Sequence, residues 1–234
     1  MSVETLQRIV STTAFLAVLS LVFAGGATAR TLRAWDGPSF QTALAQARSG
    51  DTIALRDGSY PILVVQGRRF GARLRIEGSR NASLAGTHFD RSSNVTLVGV
   101  TVTPPGTEAA RIWIRRSRHI TVDRVLVAGR RGGAGASIAT DRTSADVIVR
   151  RSEITSCGSG ARCIELGARR LLLAGNAFHD CYDCDFVRGS SWGGVTIRRN
   201  SFDRAIRGGC TQGTACNHND HIQIMGGGPW RIVG

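Results

Sequence analysis

The residue types best suited to chemistry crowd towards the end of the chain. Asn217-His218-Asn219-Asp220-His221-Ile222-Gln223 combines two imidazoles, a carboxylate and three amides, and Asp180-Cys181-Tyr182-Asp183-Cys184-Asp185 adds three carboxylates upstream. His218 or His221 could give or take a proton near neutral pH. Asp183, Asp185, Asn219 and Asp220 offer the hard oxygen ligands that Ca2+ takes. Arg188, Arg198 or Arg207 could grip a carboxylate with a two-pronged hydrogen bond. Such groups suit removal of a proton from a carbon beside a carboxylate, once Ca2+ or arginine neutralises that carboxylate. Asp220, His221, His218 and Asp185 are the catalytic candidates. The plain alternative is that these side chains satisfy turns and that the histidines are idle. Zinc is disfavoured, because two histidines separated by Asn219 and Asp220 lack a third ligand of clear spacing.

Composition narrows the partner only partly. The 234 residues carry 30 basic side chains, all arginine, against 17 acidic ones, a net charge of +13. That surplus attracts polyanions, whether nucleic acid, anionic lipid or acidic glycan. The scarcity of aromatics that could stack on bases argues against nucleic acid. Arg8, the apolar run Ile9 to Ala24, and Ala27-Thr28-Ala29 have the form of a cleavable export signal over residues 1–29. The run is shorter than the ~20 residues a membrane-spanning helix needs. The sequence therefore predicts a periplasmic or secreted protein with no stable membrane span once the signal is cleaved. In that compartment six cysteines would bridge, and Cys157 with Cys163, Cys181 with Cys184, and Cys210 with Cys216 are the short-range pairs. A bridge between Cys157 and Cys181, one repeat apart, competes.

Those groups are positioned by repeats. Asn94-Val95-Thr96-Leu97-Val98 returns as His119-Ile120-Thr121-Val122-Asp123, then from Asp146, Arg170 and Gly194. From Val95 to Ile120, Val147, Leu171 and Val195 the steps are 25, 27, 24 and 24 residues. Each copy alternates apolar with polar, as a strand with one buried face does. A second short strand precedes most copies, and no long helix fits between them. That pattern predicts an all-β, single-stranded right-handed parallel β-helix over residues 30–234, each coil pairing with its neighbours. Val100, Val125, Ser152, Asn176 and Asn200 then share one column, an asparagine ladder in its upper part, and Val102, Val127, Ile154, Phe178 and Phe202 share an inward one. With Ile112, Ile138, Ile164, Phe186 and Ile222 inward, Arg111, Ser137, Cys163, Asp185 and His221 form one outward column. Trp113, Ala139, Glu165, Val187 and Gln223 form the other. Trp113, Glu165 and Gln223 on this face, with Arg188 and Arg198 as carboxylate-holding arginines, are the substrate-binding candidates.

The segment from Ser39 to Tyr60, with Gly50-Asp51-Thr52-Ile53 at its centre, resembles the opening of pectin-lyase-like β-helix proteins, and the resemblance runs through the repeats. It implies a short amphipathic helix capping the first coil, with Phe40, Leu44 and Ala47 on its covering face. His218, Asp220, Ile222 and Gln223, as H-x-D-x-I-Q, resemble a signature of bacterial β-helix proteins linked to polysaccharide processing. The implied activity is a lyase or C5-epimerase on an acidic, uronate-containing polysaccharide, with Ca2+ as the candidate cofactor. A non-catalytic glycan-binding or surface-structural β-helix is the alternative. A polygalacturonase-like hydrolase is a further one, although its G-H-G and R-x-K motifs are absent. Gly228 to Gly234 begins another strand with no cap after it, which predicts either further coils downstream, the favoured reading, or a partner that covers that end.

Overall fold

The structure, a computed structural model, describes residues 28–103, 112–129, 137–158, 162–182, 184–191, 193–206 and 220–234. Three parallel walls wind into a solenoid. The first wall stacks Thr31–Ala34, Thr52–Leu55, Arg69–Glu77, Ser93–Val98, Arg118–Asp123, Ala145–Arg150, Arg169–Ala174, Val195–Arg198 and Trp230–Val233. The second stacks Thr101–Val102, Leu126–Ala128, Glu153–Thr155, Ala177–Tyr182 and Ser201–Ile206. The third stacks Gly58–Gln66, Ala82–Asp90, Ile112–Arg115, Ile138–Thr140, Arg162–Leu166, Asp185–Ser191 and Ile222–Gly227. Ala82–Asp90 serves two walls, pairing through Ser83 and Leu84 with the second and through Thr87 to Asp90 with the third.

The repeat read from sequence is the observed register. Val95, Ile120, Val147, Leu171 and Val195 are direct partners, coil on coil. Val102, Val127, Ile154, Phe178 and Phe202 are too, and the Phe178 and Phe202 rings stack with centroids 5.0 Å apart. These columns fill the lumen, where each aliphatic side chain taken from water contributes ~1.5–3 kcal/mol. Two corners are tied by buried polar ladders. Between the first and second walls, Asn176 Oδ1 accepts the Ser152 amide at 3.0 Å, and Asn200 Oδ1 accepts the Asn176 amide at 2.9 Å. Between the third and first, the Ser117 hydroxyl accepts the Ser92 amide at 3.0 Å and the Ser144 hydroxyl accepts the Ser117 amide at 3.1 Å.

The first coil is covered by the helix Gly37–Gln46. Asp36 caps it by accepting the Ser39 amide, while the Ser39 hydroxyl accepts the Asp36 amide. Phe40, Leu44 and Ala47 are buried beneath it. Asp51, at the start of the next strand, accepts hydrogen bonds from the Arg30 side chain and from the Arg30 and Arg48 amides, which hold its carboxyl well below the usual carboxylate range. Cys157–Cys163 and Cys181–Cys184 bridge the corner between the second and third walls. Cys210 and Cys216 lie outside the described residues.

Candidate functional site

The outward side chains of the third wall form a register column. His88 pairs with Trp113, Trp113 with Ala139, Ala139 with Glu165, Glu165 with Arg188, and Arg188 with Gln223. Strand alternation sends each of these away from the core. Trp113 is exposed, His88 meets its ring edge-on at 5.7 Å, and the Arg115 guanidinium lies over it at 5.0 Å. Higher up, the corner towards the first wall opens a cavity of ≈ 370 Å³ whose lining includes Arg142, Arg162, Glu165 and Arg188. Here Arg162 approaches Glu165 at 4.0 Å and Arg188 approaches Asp185 at 3.8 Å. Arg162 Nε and Gln223 Oε1 are buried without a hydrogen-bond partner among the described residues. A donor and an acceptor left so are costly unless something else satisfies them.

Of the sequence candidates, Glu165 and Arg188 line this cavity, and others share its wall. Asp185 and Asp220 sit on one wall, with the Asp220 amide donating to Asp185 Oδ1 at 3.1 Å. Arg188, Glu165 and Gln223 are consecutive in register, with Trp113 two coils below Glu165. His221, expected in the outward column, is not there: it stands above the buried Phe186, and its ring stacks parallel to Phe202 of the inward column at 5.7 Å and tilts against Phe186.

Other placements correct the reading. Val187 is not in the outward column: Ile164 pairs with Val187, so Arg188 takes that place. Phe186 and Val187 are adjacent and apolar, and the chain adopts the register that buries both. The supposed outward column of Ser137, Cys163 and Asp185 is likewise buried, and Asp185 pairs with Arg162 rather than Cys163. Its oxygens face the Asp220 amide and Arg188, not solvent. Arg198 stands on the first wall, paired with Ala174 and Val233, away from the groove. Arg111, Asp183, Arg207, His218 and Asn219 lie outside the described residues. The Ca2+ ligand set is thus described only at Asp185 and Asp220. Among the described residues the one close trio of metal-ligating types is Cys157, Cys163 and Cys184, and disulfides occupy all three sulfurs.

One charged cluster went unread in the sequence. On the second wall His179 Nδ1 lies 2.7 Å from Asp180 Oδ2, and its Nε2 lies 3.2 Å from Glu153 Oε1 one coil below. Arg204, one coil above, reaches Asp180 at 2.8 Å. The His179 bond and then the Arg204 charge keep the Asp180 carboxyl below its ordinary value. The coil spacing alone could have revealed it, since Thr155, His179 and Asp203 share a register. With both ring nitrogens and the carboxylates bonded to one another, it ties coils together rather than facing a ligand.

Coil geometry and walls of this kind define a solenoid class that hosts many chemistries. The model of the right-handed β-helix region matches residues 85–230, more than half of the sequence, and the chain belongs to that family. Among solved structures it is similar to a pectate lyase from Bacillus sp. N165 in complex with trigalacturonate, at 13% identity and a TM-score of 0.51, covering 89% of this chain and 82% of that one. It is also similar to the ORF18 protein of Geobacillus virus E2, at 12% identity and a TM-score of 0.49, covering 87% of this chain. A PL6-family alginate lyase matches at 12% identity and a TM-score of 0.42 over 74% of this chain. The chain spans 47% of the viral protein and 35% of the alginate lyase. No curated protein matches. At such identities the likeness shows the fold alone. No helix among the described residues is long and apolar enough to cross a membrane.

Proposed function

We propose that this is an exported carbohydrate-active β-helix protein whose third wall binds an acidic, uronate-containing polysaccharide and carries out β-elimination or C5 epimerisation on it. The observation that carries this reading is the alignment of Arg162, Glu165, Arg188 and Gln223 on one wall over three successive coils, with a buried donor and a buried acceptor that have no partner among the described residues. A uronate offers what those atoms lack, since its carboxylate accepts from guanidinium and its hydroxyls donate to the Gln223 carbonyl. Trp113 supplies an apolar platform for a sugar ring further along the column. Arg188 neutralises the carboxylate, so that the C5 proton can be removed by a base, for which Asp220 is the candidate on this wall and His221 would serve only by leaving its ring stack. Elimination then expels the glycosidic oxygen at C4; epimerisation returns a proton to the opposite face. Ca2+, for which Asp183, Asp185, Asn219 and Asp220 supply oxygens of the right kind, is a second means of neutralising the uronate. Export rests on the N-terminal signal pattern, and the two disulfides agree with it.

Incubation of the protein with pectate and alginate, followed by ultraviolet absorbance for unsaturated products and by NMR for epimers, tests the activity. Arg188→Ala should lower kcat/KM roughly a hundredfold, the scale on which removing a charge-stabilising donor acts. Asp220→Asn and His221→Ala should lose turnover and keep binding; unchanged turnover in both would remove the base from this assignment. The second reading, a wall that binds without turnover, is favoured by one observation: Asp185 is spent on a backbone amide and His221 on a ring stack. Tight binding of pectate with no product from the wild-type chain would establish it.

A further inference from the structure

The corner between the third and first walls carries more positive charge than the groove uses. Arg69, Arg91, Arg116 and Arg118 line a second cavity of ≈ 260 Å³ together with Ser92 and Ser93. Asp90 faces it and is held by Arg91 at 3.3 Å and by Arg116 at 2.8 Å. Neither the Arg69 nor the Arg118 guanidinium is in a hydrogen bond or an ion pair among the described residues, although Asp146 lies within electrostatic reach of Arg118. Arg91 and Arg116 hold φ of 50° and 49°, left-handed conformations that L side chains adopt at a cost. Gly67, one coil below in the same corner position, has φ 67° and meets the same demand without that cost. The corner geometry therefore does not call for arginine.

This cavity and the groove cavity lie on one edge. The Arg116 amide donates to Asp141, and Asp141 and Arg142 line the groove cavity in the next coil. Successive coils are spaced ~4.8 Å, so the edge from Arg69 to Arg188 runs over about 24 Å along the solenoid axis. The acids along it are already engaged: Asp90 with Arg91 and Arg116, Asp141 with Ser144 and Thr143, Glu165 with Arg162, and Asp185 with the Asp220 amide. A ladder of guanidinium groups with no free acid among the described residues is complementary to a chain bearing one carboxylate per sugar.

We infer that this edge is a track for the remote part of a polyuronate chain, running from the groove to an oxyanion pocket at Arg69 and Arg118. The inference rests on the groove reading above and extends it by four coils. Binding of galacturonate oligomers of increasing length to the full chain, at low and moderate salt, tests it. A long oligomer should bind more tightly than a trimer, and Arg69→Gln/Arg118→Gln should weaken the long oligomer roughly three- to tenfold, as two exposed charge contacts would, with trimer affinity unchanged. The long-oligomer affinity of the double variant should also depend less steeply on salt. An Arg33→Gln/Arg231→Gln control removes the same charge from the first wall and should change neither. Equal affinity for trimer and long oligomer, or an equal loss in the control, would overturn the track and leave the groove standing. Failure of the wild-type chain to bind any oligomer would bring down the groove reading with it.

Discussion

Two corners of the same coil solve one problem with different residues. Where the third wall turns into the first, Ser92, Ser117 and Ser144 point inward; where the first turns into the second, Ser152, Asn176 and Asn200 do. A left-handed residue precedes most of the inward ones: Arg91 and Arg116 before Ser92 and Ser117, though none before Ser144, and Arg151, Gly175 and Arg199 at the asparagine corner. The serine hydroxyl accepts the amide of the coil below and donates its single proton to a carbonyl, as Ser117 does to Phe89 or Arg115. The asparagine amide accepts one amide and has two protons to give, so Asn176 also reaches the Val149 carbonyl and Asn200 Oδ1. The asparagine corner is therefore the more heavily bonded of the two. The ladder sets the turn, and the left-handed residue is left free to face solvent.

Truncating the ladders should rank the corners. Asn176→Ala strands the Ser152 amide, the Val149 carbonyl and a partner on Asn200, and should cost about 2–4 kcal/mol in urea unfolding. Ser117→Ala orphans the buried Ser92 amide and should cost about 1–2 kcal/mol; a loss as large as that of Asn176→Ala would erase the distinction. The smallest effect belongs to the left-handed position itself. Arg124→Gly, at φ 56°, should stay within about 1 kcal/mol of wild type on the stabilising side, because glycine meets that backbone without a Cβ clash. A marked loss would mean that the arginine, not the ladder, holds the corner.

The asparagine corner was legible in the sequence because Asn176 and Asn200 stand out at a 24-residue step. The serine corner was equally periodic, Ser92, Ser117 and Ser144 each standing three residues before Val95, Ile120 and Val147, but serine is common in turns and drew no notice. The first wall could be read because one strict alternation recurs there. The third wall could not be read to the residue, because Phe186-Val187 offers two apolar candidates for one inward place. Asp185 was assigned to the site from an assumed register and Arg188 from its residue type, and their true partners depend on a choice only packing makes. Arg198 was named by residue type alone, although it closes the repeat Val195 to Ile197 and so belongs with the first wall.

The one-residue offset that buries Asp185 and turns Arg188 outward has a wider consequence. In a strand, shifting by a single position exchanges the two faces, while coils above and below keep their own pairing. Insertion or deletion of one residue at a corner can thus present a different set of side chains on one rung and leave the lumen intact. A solenoid of this kind can vary its outer chemistry rung by rung through small changes in length, an evolutionary freedom closed to folds whose surface and interior are set by the same contacts.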